Sequence, residues 1–235
     1  MLNLLDTTKK RWNRRKTARP AELLCAAVSV FTEKGFATTK LEEVAARAGV
    51  SKGTLYLYYQ NKEELFKAVV NETFLPLINA LRQREQEHTG SIAELLRKDF
   101  HQWWKNVGST PLGGIPKLII TEACNFPDLT RFYNDSIIKP WRAHIVSLLE
   151  KGVARGEFSP MDAEYTALVL HAPLVMLSCY VNSLDRCIDD RIEPLRYIDA
   201  HIQMCLFGLL NDKSILRQSP ALAAGLGGRG GAADI

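Results

Sequence analysis

The residues best suited to chemistry gather in one short segment, Lys52-Gly-Thr-Leu-Tyr-Leu-Tyr58. At about 100° per residue along an α-helix, Leu55 and Tyr59 fall on one side. Gly53, Thr54, Leu57 and Tyr58 fall on the opposite side, with Tyr56 and Lys52 near the border. A helix of a globular domain does not expose Leu57 and Tyr58 without a reason. Apolar and aromatic tips beside Lys52 and Thr54 suit the major groove of DNA, which presents methyl groups and base edges together. The competing reading is a tight core helix with a crowded second face. Upstream, seven basic residues and no acid lie between Lys9 and Arg19, with Trp12 interleaved. Such an arm can lie along phosphates and displace condensed counterions, or it is a solvated leader.

The charge distribution points the same way. The chain has 235 residues and a formal net charge of +4, from 30 Lys+Arg against 26 Asp+Glu. Residues 1–62 carry 12 basic and 5 acidic side chains, so the positive charge sits at one end and predicts a polyanionic partner there. Enzyme chemistry finds no support: there is no nucleophile elbow, phosphate loop or paired-carboxylate motif. His88, His101, His144, His171 and His201 show no metal-ligand spacing, so neither metal nor cofactor is expected. Gly225-Leu-Gly-Gly-Arg-Gly230 matches a dinucleotide fingerprint formally, but it lacks the strand-turn-helix setting that such a site needs. The five cysteines have no redox or zinc spacing and are expected to be small core residues in a reducing compartment. The first ten residues lack the apolar run of a secretory leader, so a cytoplasmic location is expected.

The positioning elements are short helices. Leu24, Ala27, Val28 and Phe31 recur with helical period, and Gly35 follows as a stop. Thr39 with Glu42 reads as a capping box opening a second helix through Leu41, Val44, Ala45 and Ala48, stopped by Gly49. Ser51 caps the third, expected to reach about Tyr59. Asn61 with Glu64 opens the fourth. Two short helices joined by Gly49-Val50-Ser51 have the geometry of a helix-turn-helix.

The stretch from Gly35 to Phe66 resembles the DNA-binding domain of the TetR family of transcription regulators. The resemblance covers about residues 20–70 and rests on Gly35, Thr39, the Val44-Ala45 of the second helix, Gly49-Val-Ser-Lys-Gly-Thr-Leu-Tyr56 and Asn61-Lys-Glu-Glu-Leu-Phe66. Tyr59 departs from it, since the family usually has Phe there, and its hydroxyl should find a partner or reach the surface. The resemblance implies that Lys52, Gly53, Thr54, Leu57 and Tyr58 face bases. It implies that Tyr56 and Lys62 contact phosphates, and that Thr39 and Lys40 stand where the second helix begins on the DNA backbone. Lys62 also sits at a helix N-terminus, whose free N–H groups and dipole favour a phosphate.

The expected organisation is all-α: a basic arm (1–18), a helix-turn-helix domain (19–70), a helical effector-binding and dimerisation domain (71–212) and a low-complexity tail (213–235). In the third part, Ser91 with Glu94 opens a helix carrying the Trp103-Trp104 pair. Thr110–Pro116 reads as a loop, Lys117–Asn125 as a short helix, and Asp128–Ala154 as a long helix with a break near Lys139-Pro140. Ser159–Asp162 reads as a cap with its proline in the first helical position. Tyr165–Leu184 has no Asp, Glu, Lys or Arg. Its length would span a membrane, but Thr166, His171, Pro173 and Asn182 and its acidic flanks favour a buried interface helix. The resemblance implies a homodimer paired through the helices at about 162–184 and 194–210, binding a double-stranded DNA operator and a small-molecule effector, with no membrane partner. For a hydrophobic or aromatic effector the candidate residues are Phe100, Trp103, Trp104, Phe126, Tyr133, His171, Met176 and Tyr180. The expected function is a ligand-responsive repressor. An activator of the same family and a helical protein held on anionic lipid by the arm are the alternatives.

Overall fold

A computed structural model describes residues 20–184, 187 and 191–209, and these form helices and turns with no strand among them. The basic arm and the glycine-rich tail lie outside the described residues. The chain divides into two compact units, the first within Met1–Leu77 and Gly114–Ile138, the second within Ile78–Gly113 and Lys139–Ile235.

In the first unit, α1 covers residues 20–34, followed by α2 (Leu41–Arg47), α3 (Lys52–Tyr56) and α4 (Lys62–Thr73). Their apolar stripes close one core: Leu24, Ala27, Val28 and Phe31 from α1, Val44 and Ala45 from α2, Leu55 from α3, and Leu65, Phe66 and Val69 from α4. Phe31, Phe36 and Phe66 pack ring against ring, with centroids 5.3–5.9 Å apart. Gly35 and Gly49 take φ of 89° and 66°, a left-handed backbone that ends α1 and α2 at little cost only for glycine. Two further helices, α7 (Gly114–Glu122) and α8 (Pro127–Tyr133), belong to this unit although distant in sequence.

Several local expectations are corrected. Thr39 does not cap α2: the N-cap is Lys40, without a side-chain cap, while the Thr39 hydroxyl donates to Gly35 O at 2.7 Å. α7 starts earlier than expected, at Gly114, so Pro116 lies inside its first turn, where a missing N–H costs no helical bond. The break expected at Pro140 appears as a wide turn just before it, Asn134–Ile138. A proline offers no N–H to the carbonyl four residues back, and a π-turn accommodates that loss without ending the helix.

The second unit packs most of α5 (Leu75–Glu87) with α6 (Ile92–Trp103), α9 (Lys139–Ala154), α10 (Ala163–Val181) and α11 (Pro194–Leu209). Leu96, Phe100 and Trp104, Trp141, Ile145 and Leu149, Leu170, Leu174 and Leu177, and Ile198 and Ile202 fill its core. The cap of α6 is also different from the expected one. The Glu157 carboxylate accepts from the Ile92 N–H at 2.8 Å and the Ser91 hydroxyl at 2.9 Å, while the Ser91 side chain makes no cap bond of its own, so a distant residue takes a first-turn N–H of α6. At α10 the cap is Asp162, which accepts from Tyr165 N at 3.1 Å, and Pro160 lies outside the helix. The helix ends at Val181. None of the five cysteines is a buried core residue: Cys25, Cys124 and Cys187 are exposed, Cys179 and Cys205 half-buried, and none forms a disulfide.

Candidate nucleic-acid interface and effector region

α3 is shorter than its sequence suggested, because the turn tightens after Tyr56. It is held from both ends. Ser51 Oγ accepts from Thr54 N at 3.1 Å, capping the start. Leu55 is fully buried and anchors the underside. With that face fixed, Leu57 is turned out to 83% exposure, and Tyr56 and Tyr58 stand beside it at 42% and 39%. Gly53 has no side chain from another element near the position a Cβ would take, so the backbone there is open to a close approach. Tyr59 is half-buried, and burial, with the charge of Glu72 next in order, pushes its hydroxyl pKa up.

Lys52, the intended base donor, is exposed but not idle. Its ammonium meets Glu42 Oε1 of α2 at 2.6 Å and lies 5.6 Å from the Tyr56 ring centroid. The hydrogen bond with Glu42 raises the Lys52 pKa and lowers that of Glu42. Both groups are solvated, so the pair is a weak tether.

Lys62 is placed differently. Its ammonium donates to Phe36 O at 2.9 Å and Ala37 O at 2.8 Å, and lies over the rings of Phe36 and Phe126. It therefore braces the loop between α1 and α2. Glu122 of α7 holds the same loop by accepting from Ala37 N at 3.1 Å. Sequence reasoning missed Glu122, since nothing local marks a carboxylate that serves a distant N–H. Thr39 is buried, and Lys40, just before α2, is exposed. Asn61 caps α4 as expected by accepting from Glu64 N, and Glu64 returns the favour to Gln60 N at 2.9 Å.

The fold and this geometry can be set against known proteins. The profile described as "Bacterial regulatory proteins, tetR family" matches residues 23–69, and that of the "Tetracyclin repressor-like, C-terminal domain" matches 86–179. The transcriptional regulator RutR of Escherichia coli (strain K12) is 42% identical over 179 residues, 72% of this chain and 77% of its own. The uncharacterized regulator YfiR of Bacillus subtilis (strain 168) is 30% identical over 150 residues, 63% of this chain and 71% of its own. The chain belongs to the TetR family. The crystal structure of the fatty acid degradation regulator FadR from Bacillus halodurans shares the fold, with a TM-score of 0.66 at 21% identity over 80% of this chain and 94% of that one. This TetR-family chain is thus an all-α DNA-binding transcriptional regulator with an N-terminal helix-turn-helix.

The eight effector candidates of this TetR-family regulator do not form one set. Phe126 and Tyr133 belong to the first unit, where they pack on Phe36 and Phe74 with centroids 4.8 and 5.9 Å apart. Phe100 is sealed in the second unit's core, stacked on His201. Met176 is exposed at 65%, on the face of α10 that also carries Tyr165 and Val169. Tyr180 is half-buried. Trp103, Trp104 and His171 do come together, and Trp141 of α9, which no sequence pattern singled out, joins them. His171 lies 6.0 Å from Trp103 and 5.5 Å from Trp141, centroid to centroid. No group of three His, Cys, Asp or Glu side chains able to hold a metal occurs among the described residues.

Burial lowers the His171 pKa from its ordinary 6.5 to about 4. Between those values the unfolded chain binds a proton that the folded chain refuses. Stability supplied by the neutral ring is therefore complete above pH 6.5 and falls as the pH drops towards 4. The loss amounts to up to about 3 kcal/mol. Urea unfolding at pH 7 and pH 4.5 should show a steeper acid loss for the native chain than for His171→Phe; equal losses would refute the assignment.

Proposed function

We propose that this regulator is a cytoplasmic homodimeric repressor that reads a pseudo-palindromic operator and releases it on binding a small hydrophobic or aromatic effector. One observation carries the DNA reading: Leu57 and Tyr58 are exposed just past the end of α3, whose Lys52 and Thr54 lie alongside and whose underside is fixed by Leu55. In this reading Lys52 leaves Glu42 for a guanine O6 or N7, and Leu57, Tyr58, Gly53 and Thr54 lie against base edges and methyls. Tyr56 contributes a phosphate contact. Lys40 lies at the backbone end of α2. Lys62 and Thr39 act mainly by setting the loop that orients α2.

Pairing is supported by α10 and α11. Among the described residues, one helix, Ala163–Val181, is long and apolar enough to cross a membrane. Its Tyr165, Val169 and Met176 are exposed, as are Leu195, Met204 and Phe207 of α11. Two neighbouring helices with apolar outer faces suit a second copy of the same chain, since a two-fold interface must be self-complementary. Two recognition helices related by that axis would address two half-sites. Effector binding then acts through a difference in affinity between DNA-competent and incompetent conformers.

The test is an electrophoretic shift on the DNA upstream of the regulator's own gene, followed by selection from a randomised half-site library. Lys52→Ala should change the selected base at one position per half-site, at a cost of about 1–3 kcal/mol for the original base. Unchanged preference and affinity would refute the base-facing assignment. A reporter that falls rather than rises when the regulator is deleted would make it an activator.

A further inference from the structure

We propose that Trp141 and His171 form the polar end of a binding site for a neutral aromatic molecule carrying a hydroxyl group. The site lies in the second unit, and the inference rests on the ligand-responsive reading above. Trp141 Nε1 and His171 Nε2 are both shielded from solvent and have no hydrogen-bond partner among the described residues. Leaving such an atom unmet costs roughly 1–3 kcal/mol, and folded proteins seldom accept it. Here two such atoms belong to rings whose centroids are 5.5 Å apart. That proximity marks a place where one guest could satisfy both.

The surroundings define the guest. Trp103 stands edge-on to His171 at 6.0 Å and lies 6.5 Å from Trp141, with Trp104 6.5 Å beyond it. Flat aromatic walls favour a flat aromatic body. Burial is what holds His171 neutral, with no charged side chain contributing to the shift. A carboxylate or ammonium would thus lose its hydration without gaining a counter-charge. The indole N–H donates and cannot accept, so the guest must offer an acceptor. A neutral imidazole Nε2 can accept. One hydroxyl accepts a hydrogen bond from the indole N–H and donates its own O–H to the imidazole Nε2, and so serves both rings at once. The parts come from α6 with Trp103, the π-turn directly after it with Trp104, α9 with Trp141 and α10 with His171.

The experiment uses the full chain and three matched probes: 4-ethylphenol, ethylbenzene and 4-ethylbenzoate. Four tryptophans give four indole N–H resonances, and Trp141→Phe assigns the relevant one. Expected are binding of 4-ethylphenol in calorimetry, a downfield move of the Trp141 indole resonance, and about tenfold weaker binding in both Trp141→Phe and His171→Phe, the loss of one hydrogen bond of about 1.4 kcal/mol. Ethylbenzene should bind more weakly than the phenol and equally to all three proteins, and 4-ethylbenzoate weakest. Should Trp141→Phe fail to fold, His171→Phe and the indole shift of the native chain still decide. The proposal is overturned if ethylbenzene matches the phenol, if the carboxylate binds best, or if the phenol leaves the Trp141 resonance in place. It is also overturned if none of the three probes binds and the indole proton exchanges with internal water. Phenol binding at this site without any change in operator affinity would refute ligand response and leave the site standing. Operator release by a compound that leaves the Trp141 resonance unmoved would do the reverse.

Discussion

Alanine at Asp99 is expected to destabilise the second unit by about 3–5 kcal/mol. Asp99 is fully buried on α6 and is met by side chains from two other helices. Arg84 of α5 reaches its Oδ1 with Nε at 3.0 Å and Nη2 at 2.8 Å. His144 of α9 places Nε2 at 2.7 Å from its Oδ2, and its other ring nitrogen lies 2.8 Å from Glu85 Oε2. Lys151 and Ser147 complete the cluster on Glu85. Burial alone would push the Glu85 carboxyl pKa up, but the hydrogen bonds from Lys151, Ser147 and His144 outweigh it and hold the pKa down. Removing Asp99 strands its partners' donors beside an apolar core, and the penalty of unpaired buried charge exceeds what the pair gave. Replacing Asp99 and His144 together by Leu should recover part of the loss, because the buried imidazole left without Asp99 goes as well. Urea unfolding of both variants measures it. A loss under 1 kcal/mol for Asp99→Ala would show that water reaches the cluster and that it contributes little.

The second large effect concerns binding and leaves folding almost untouched. Leu57→Ala combined with Tyr58→Ala should weaken operator binding roughly 30-fold to 10⁴-fold, from about 1–3 kcal/mol per half-site counted twice in a dimer. Leu57, the residue that ends α3, is largely exposed, so its loss leaves the core intact and stability within about 0.5 kcal/mol. Fluorescence anisotropy on a fixed operator, run beside a thermal melt, separates the two quantities. A drop in melting temperature with unchanged DNA affinity would mean that these side chains serve the fold. Loss of affinity with an unchanged melt places them on the DNA. The salt slope of log Kd should change little, since neither residue meets a phosphate.

Much of the first unit was legible in the sequence. Helical period and glycine stops at Gly35 and Gly49 define α1 and α2, and the Ser51 and Asn61 caps define the starts of α3 and α4. The outward turn of Leu57 follows from wheel arithmetic once Leu55 is assigned inward. These signals are local: each depends on residues within one or two helical turns, so chain order alone expresses them.

The rest was decided by partners far apart in sequence. Glu157 takes a first-turn N–H of α6, Glu122 of α7 steadies the loop after α1, and Lys62 braces that loop through Phe36 O and Ala37 O. No local spacing reports a carboxylate that finds its N–H across the fold. The aromatic stripe of the larger part carried the same limitation. Its period showed which residues share a helix face, but not which faces meet, so Phe100 and Met176 looked equivalent to His171 while Trp141 went unnoticed. Sequence by itself thus determined that these helices form, the glycine stops of α1 and α2, and the outward turn of Leu57. Tertiary structure decided which buried polar atoms found partners and which two, on α9 and α10, did not, because hydrogen bonds between distant residues are set by packing and not by chain order.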